Sequence, residues 1–320
     1  MDKKILITGA SGFVGSHLLD NLVDNNKDNL FGTYFFDKSL ENLGENKDKI
    51  NLKKVDLRSE SEVKNLIEEI KPDTIYHLAA FTSPADSFTS PNETVINNIS
   101  SQINILEAMR KNNLTKSRIL VVSSAEVYGD VKESELPIDE ETLFNPINPY
   151  AVSKLAQDFL GRQYFLSYGI QAVRVRPFNH IGTRQSDNFS VSSFAKKIAE
   201  IEKGKRKPIL TVGNLEAKRD FTDVNDVVRA YILLIEKGVA GEVYNIGSGK
   251  AYKMSHIVDM LLSFSNTQIS VEVDKSLFRP IDNPELLCDA TKLKKLTGWE
   301  PQIPLERTLK DTLDYWRNII

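Results

Sequence analysis

The sequence predicts an α/β fold built on a doubly wound parallel sheet. Short apolar runs alternate with amphipathic helical stretches through the first half of the chain, the pattern of parallel strands joined by crossover helices. The first run, residues 5–7, turns on glycines at 9, 12 and 15 straight into a helical stripe of Gly15, Leu18, Leu19 and Leu22. The chain has 320 residues, 41% of them hydrophobic and 27% charged, which suits one large globular domain or two intimate ones.

The glycine stretch carries the first functional signal. A strand that turns sharply into a helix exposes backbone N–H groups at the positive end of the helix dipole, where a phosphate is favoured. Gly9 permits the tight turn, Gly12 lets a pyrophosphate approach the backbone, and Gly15 lets the helix lie close to the sheet. The spacing is GxxGxxG rather than the standard GxGxxG. With a strand before it and a helix after it, the stretch reads as a Rossmann-type dinucleotide loop.

The remaining elements follow in order. Residues 30–36 read as a second strand ending at Asp37 and Lys38, and the polar stretch 42–49 as a loop. Residues 51–55 form a third strand, followed by Asp56 and Leu57. Ser59 and Glu62 make a capping box for a helix with Val63, Leu66, Ile67 and Ile70 on one face, and Pro72 stops it. Residues 73–78 are the fourth strand, with His77, Leu78, Ala79 and Ala80 at its end. The helix over 93–111 is expected to turn Val95, Ile96, Ile99, Ile103 and Leu106 inward. Residues 118–122 are the fifth strand, ending in Ser123 and Ser124. The irregular segment 129–149, with three prolines, is expected to cross the surface near the site. A helix starting near Pro149 contains Tyr150 and Lys154, and a sixth strand over 172–175 leads into Arg176, Pro177, Phe178, Asn179 and His180. Regularity then drops. Helices near 191–202, 223–235 and at the C-terminus are interspersed with short strands at 209–212, 242–246 and 269–273.

In open parallel sheets ligands sit at the carboxyl ends of the strands. That rule selects Gly9, Asp37, Asp56, Ala79 and Ser124. Asp37 lies 22 residues beyond Gly15, near the distance at which an acid holds the ribose hydroxyls of NAD. Lys38 suits a 2′-phosphate instead, so the residues leave NAD and NADP undecided. Tyr150 and Lys154 are four apart on one helix face, within reach of Ser124. An ammonium beside a phenol is expected to favour the phenolate, and such a tyrosine exchanges protons with an alcohol or ketone.

Charge and composition narrow the partners. A net charge of −3 makes no case for nucleic acid or an anionic membrane. The single cysteine, Cys288, forms no internal disulfide and suits a reducing compartment. No apolar run has the length of a membrane span, and no signal peptide precedes the first strand. A cytoplasmic location is expected, and no metal site.

Taken in order, several motifs carry a resemblance. They are Thr8 to Gly15, His77 to Ala80, Asn98 before the run 104–108, the stretch from Ser123 to Gly129, and Tyr150 with Lys154. The chain resembles the extended short-chain dehydrogenase/reductase superfamily, the sugar-nucleotide epimerases and dehydratases, over essentially its whole length. The resemblance implies NAD(P) in an N-terminal lobe, residues 1–176, and a nucleotide-sugar under a smaller, intertwined C-terminal α/β lobe, residues 177–320. It implies Ser124, Tyr150 and Lys154 as the catalytic set. The cofactor is then expected against Gly9, Ser11, Gly12, Phe13, Val14 and Gly15, the strand-end residues Asp37, Lys38, Asp56, Leu57, Leu78, Ala79 and Ala80, and Asn98, Tyr150, Lys154 and Pro177. The runs 176–182, 212–223 and 241–249 look like the GDP-sugar branch, which implies Asn179, Arg219 and Arg279 as substrate contacts. An arginine fork suits a diphosphate. A homodimer through the helices near 93–111 and 149–167 is implied as well.

Two departures bear on the reaction. Glu126 follows Ser124 by two, as in dehydratases, where such a glutamate is an acid/base. Yet the run Asn179 to Gly182 lacks the arginine pair of GDP-type dehydratases. The expected reaction is NAD(P)H-dependent reduction of the C4 ketone of a GDP-4-keto-6-deoxy-hexose, with GDP-mannose 4,6-dehydration as the alternative and a non-catalytic dinucleotide sensor as the rival from another class.

Overall fold

The structure, a computed structural model, describes residues 3–25, 29–278 and 281–320. The first half runs β1 (Ile5–Thr8), α1 (Phe13–Asp24), β2 (Leu30–Tyr34), β3 (Asn51–Lys54), α2 (Glu60–Ile70), β4 (Thr74–His77), α3 (Pro84–Thr89), α4 (Pro91–Lys111), β5 (Arg118–Val122), α5 (Pro149–Tyr168) and β6 (Gln171–Pro177). The second half runs β7 (Asn179–Ile181), α6 (Ser190–Glu202), β8 (Ile209–Val212), β9 (Lys218–Asp223), α7 (Val224–Lys237), β10 (Val243–Ile246), β11 (Ala251–Lys253), α8 (Met254–Ser263), β12 (Ser270–Val273), β13 (Glu285–Leu286), α9 (Thr291–Thr297) and α10 (Leu305–Ile319).

Seven parallel strands form the main sheet in the order β10-β6-β5-β4-β1-β2-β3. The order reverses between β1 and β4, so the crevice for a ligand opens at their carboxyl ends. Alternation along the strands feeds two cores. Ile5 and Ile7 pack with Leu18, Leu22, Tyr231 and Leu234 of α1 and α7. Leu6 packs on the other face with Leu66, Ile67, Ile105 and Met109 of α2 and α4. A smaller lobe is built from β7, β9, β11 and β13, with β8 pairing β12, around Ile198, Leu210, Phe221, Ile257 and Leu309. The chain crosses between lobes, because α7 and β10 lie with the main sheet.

Several elements and faces depart from the sequence reading. The second strand ends at Tyr34, and the stretch expected as loop is a 3-10 helix, Asp37–Lys49, broken at Gly44. Leu43 anchors it, buried to 2% exposure. The capping box of α2 is half formed. Ser59 accepts from the Glu62 N–H at 3.4 Å, but the Glu62 carboxylate accepts from the Asp56 N–H at 2.9 Å. In α4 the inward face is Thr94, Asn98, Ser101, Gln102, Ile105, Leu106 and Met109, while Ile96 is exposed. Its partner α5 presents Ser153 and Gln157, and the two helices satisfy each other's polar groups. The Asn98 amide donates to Ser153 Oγ at 2.9 Å, Gln102 to the Gln157 carbonyl at 2.6 Å, and Gln157 to the Asn98 carbonyl at 2.9 Å. Paired burial of this kind is invisible to an apolar periodicity. Finally, the segment 129–149 does not stay on the surface. Ile138 is fully buried and its N–H donates to the Leu287 carbonyl at 2.8 Å, so the segment threads between the lobes.

Below the end of β6, Asp158 of α5 is buried between two arginines. It pairs with Arg174, and with Arg176 Nε at 2.8 Å. Arg176 also donates to Tyr128 Oη at 2.9 Å, and Tyr128 donates to Asn245 Oδ1 at 2.7 Å. Removing the one anion leaves two buried cations uncompensated. Asp158→Asn should therefore lower the unfolding free energy by about 3–5 kcal/mol, measured by denaturant titration. A loss within experimental error would show that water reaches the pair.

Candidate active site

The carboxyl ends of the main sheet and the inner wall of the smaller lobe enclose one long cleft of about 2080 Å³. Ordinary small-molecule pockets hold roughly 300–1,000 Å³, so the cleft has room for two nucleotide-sized ligands side by side.

Its floor is the glycine loop. Gly9 has φ +70, and a Cβ there would meet the Ala79 backbone at 3.0 Å; a Cβ on Gly15 would fall 2.2 Å from the Gly9 carbonyl oxygen. Helix α1 starts at Gly12, which has no side chain to cap the first turn, and no acid lies in that turn. Gly12, Phe13 and Val14 line the cleft. The Gly12 N–H closes the turn onto the Gly9 carbonyl at 3.0 Å, and the uncapped N–H groups of Phe13 and Val14 make an anion cradle that fits a pyrophosphate. Leu78, Ala79 and Ala80 form the adjoining wall. Asn98 does not reach it. Fully buried, Asn98 accepts from the Phe81 N–H at 2.8 Å and donates to the Phe81 carbonyl at 3.0 Å, so it shapes this wall from behind.

At one end the cleft is lined by Ser11, Lys38, Ser39, Asp56, Leu57 and Arg58. Arg58 grips Asp56 with two bonds, Nε to Oδ1 at 2.9 Å and Nη2 to Oδ2 at 2.7 Å, and lies over the Phe35 ring at 5.5 Å. The guanidinium holds the Asp56 carboxyl below the usual carboxylate range. Asp37, expected to hold a ribose, is turned away. Its carboxylate meets Lys54 Nζ at 2.6 Å on the exposed flank. The cause is the early end of β2: Phe35 and Phe36 leave the sheet before Asp37, which becomes the first residue of the 3-10 helix.

The expected catalytic set converges in the middle. Ser124 begins the turn after β5, accepting from the Glu126 N–H at 3.2 Å. Asn148 caps α5 by accepting from the Ala151 N–H at 2.7 Å, and its amide donates to Glu126 Oε2 at 3.0 Å. One side chain thus starts the helix that bears Tyr150 and aims Glu126 at the cleft. Tyr150 and Lys154 are 7% and 4% exposed. Lys154 Nζ donates to the Val122 carbonyl at 2.9 Å and stands 5.9 Å from the Tyr150 ring centre. The expectation of a lowered tyrosine pKa is not met. Burial pushes the Tyr150 phenol up, a hydrogen bond from Ser124 opposes that, and the Glu126 charge adds to it. Burial also pushes Lys154 down to about 7, weakening the ammonium that was to favour the phenolate.

On the smaller lobe's side, Pro177 and Asn179 line the cleft. Arg219 lines it too and is 7% exposed. It donates to the carbonyls of Lys218 and Asn283, each at 2.8 Å, and pairs with Asp282 at 2.5 Å. Arg279 lies outside the described residues. The sequence reading missed Arg58, Asn148 and Asp282. An Asn before Pro at a helix start is a legible cap; the other two acquire their places only through packing across elements.

A glycine-turn cradle beside Ser124, Tyr150 and Lys154 is the geometry of a dinucleotide-dependent enzyme, and the comparisons with known proteins agree. The sequence matches the family described as GDP-mannose 4,6 dehydratase over residues 6–312. It is 33% identical to GDP-6-deoxy-D-mannose reductase of Pseudomonas aeruginosa over 99% of this chain and 98% of that protein. It is 30% identical to GDP-mannose 4,6-dehydratase of Vibrio cholerae over 97% of this chain and 93% of that one. The fold matches the structure of RMD from Pseudomonas aeruginosa complexed with NADPH, with a TM-score of 0.86 at 32% identity, covering 99% and 100% of the two chains. It also matches the Thermus thermophilus UDP-glucose 4-epimerase complex with NAD, with a TM-score of 0.88 at 26% identity, covering 99% and 100%. The chain belongs to the GDP-mannose 4,6-dehydratase family of extended short-chain dehydrogenases/reductases. It is thus an enzyme of an NAD(P)-dependent, nucleotide-sugar-modifying family. Among the described residues no helix is long and apolar enough to cross a membrane, and no cluster of His, Cys, Asp and Glu could hold a metal ion.

Proposed function

We propose that this enzyme reduces the C4 ketone of a GDP-4-keto-6-deoxy-hexose, as a GDP-4-keto-6-deoxy-D-mannose reductase does. The reading is carried by the convergence of Ser124, Tyr150 and Lys154 on the cleft of a chain 33% identical to GDP-6-deoxy-D-mannose reductase over 99% of its length, and burial favours the proton on the Tyr150 phenol. A ketone reduction needs a proton donor at the start of turnover, whereas a dehydratase begins by oxidising an alcohol and needs a base. The bound nicotinamide cofactor supplies the hydride. Tyr150 gives its proton to the oxygen of the former ketone, Ser124 hydrogen-bonds that oxygen, and Lys154 steadies the phenol and restores its charge balance. Residues 1–176 serve the cofactor and 177–320 the nucleotide-sugar, with α7 and β10 crossing back. Arg219 supports the second assignment, being a buried guanidinium on the cleft wall suited to a diphosphate. The second reading, a 4,6-dehydratase, is favoured by Glu126, which Asn148 aims at the cleft.

One experiment separates the two readings. With reduced cofactor and a GDP-4-keto-6-deoxy-hexose, the enzyme should consume cofactor stoichiometrically and leave GDP-mannose untouched. Tyr150→Phe should lose about 10²–10⁴ in turnover, and Glu126→Gln should retain a substantial part. A 4-keto-6-deoxy product from GDP-mannose, or an inert Glu126→Gln, would establish the dehydratase instead.

The cofactor we assign is NADPH. Asp37, whose carboxylate would repel a 2′-phosphate, faces Lys54, while Lys38 and Arg58 line the cleft. Losing a charge-assisted hydrogen bond costs about 1.5–3 kcal/mol, roughly 10–100-fold in affinity. Arg58→Ala combined with Lys38→Ala should raise the KM for NADPH by at least the lower figure and change that for NADH little, while Asp37→Ala should affect neither. Equal losses with both cofactors would return the choice to the ribose.

We also infer a homodimer through α4 and α5. Val152, Phe159 and Leu166 recur every seven residues on α5 and are exposed, as is Ile96 on α4, a run of apolar surface that a monomer rarely leaves open. Sedimentation should give twice the 36.1 kDa chain mass, and Phe159→Asp should halve it. A wild-type mass equal to one chain removes the dimer.

A further inference from the structure

The loop after β7 takes no part in the chemistry proposed above, yet it runs from the smaller lobe onto the cofactor helix. Phe13, at the start of α1, stacks on His180 with ring centres 5.9 Å apart. His17 of α1 meets the Thr183 carbonyl through Nε2 at 3.0 Å. A carbonyl only accepts, so Nε2 carries the proton; Nδ1 lies 3.1 Å from Asn225 Oδ1 and 2.8 Å from Arg184 Nη2, and in the neutral ring it accepts from the guanidinium. Burial and the Arg184 charge hold His17 neutral, its pKa down to about 4. Arg184 is the hub. Its Nη2 also reaches Asp20 of α1 at 2.6 Å, and its Nη1 donates to the Asn42 carbonyl at 2.9 Å.

Asn42 belongs to the 3-10 helix at the cofactor end, and its amide donates to the Ser11 carbonyl in the glycine loop at 2.9 Å. In the other direction Gln185 donates to the His180 carbonyl at 2.9 Å, Ser192 of α6 to the Gln185 carbonyl at 2.7 Å, and Trp316 of α10 to Ser192 Oγ at 3.0 Å. Both Gln185 and Trp316 line the cleft. Arg184 itself has φ +66, a left-handed backbone that a residue with a side chain adopts only when its surroundings impose it. Here the ion pair and the bonds to His17 and Asn42 impose it.

We propose that Arg184 is a positioning residue that couples the two ligand sites of the cleft. It ties the glycine loop, α1 and the 37–49 segment to the loop and helices that wall the substrate side. A ligand that orders one side therefore lowers the ordering cost met by a ligand on the other. The proposal rests on the nucleotide-sugar reading only in that it takes a GDP group as the second ligand.

Calorimetry tests it, with GDP as the probe in the presence and absence of saturating NADPH. In the wild-type enzyme NADPH should tighten GDP binding about fivefold or more, and GDP should tighten NADPH by the same factor, since coupling is reciprocal. In Arg184→Ala each ligand should still bind, but the ratio should fall close to one; Arg184→Lys, which keeps the charge to Asp20, should recover part of it. Asp20→Asn, at a partly exposed helix position, should also reduce the ratio, and it decides the matter should the arginine variants fail to fold. A ratio of one in the wild type, or an undiminished ratio in Arg184→Ala or Asp20→Asn, overturns the coupling. Should GDP not bind wild-type protein under either condition, the nucleotide-sugar reading falls and this inference with it.

Discussion

The first turn of α5 is buried against the end of β5, and the rest of the site is arranged around that burial. Lys154 can sit there because the Val122 carbonyl accepts from its Nζ. Tyr150 sits one turn before it, with Ser124 beside its phenol. Desolvation acts on the two groups with one sign, against charge on either. Burial thus favours the protonated phenol and weakens the charge of the lysine beside it.

What holds the helix in that position is polar. Asn148 caps α5, the Asn98, Ser153, Gln102 and Gln157 bonds lock its flank to α4, and Asp158 binds the two arginines of β6. Such contacts contribute little net stability when satisfied, but each costs its full desolvation when a partner is missing. They therefore fix one register of α5 over the sheet.

The two lobes meet across the cleft through arginines used in different ways. Arg176 ties the floor to the 129–149 segment, Arg184 ties the loop after β7 to α1, and Arg219 with Asp282 lies on the wall itself. A planar fork with several donors can satisfy carbonyls and a carboxylate at once. An interface between lobes, where backbone ends are plentiful, suits it for that reason.

Much of this was legible along the chain. The strand–helix alternation, the glycine turn and the placement of Ser124, Tyr150 and Lys154 after the fifth strand all follow from local patterns, because each depends on residues close in sequence and on the two periods of regular structure. The family resemblance rests on the same short motifs. Tertiary structure decided what local pattern cannot encode. Whether Asp37 faces a ribose or Lys54 depends on where β2 lets go of the sheet. Which face of α4 turns inward depends on the polar groups of α5. Whether the phenol is lowered or raised depends on how much water the packed elements exclude, a property of burial summed over the whole site. Arg58, Arg184 and Asp282 have no local signature, since each takes its role from a partner on another element. The sequence by itself determined the sheet, the glycine turn and the nearness of Ser124, Tyr150 and Lys154 to the strand ends; the orientation, charge and connection of the cleft's side chains came only from long-range packing.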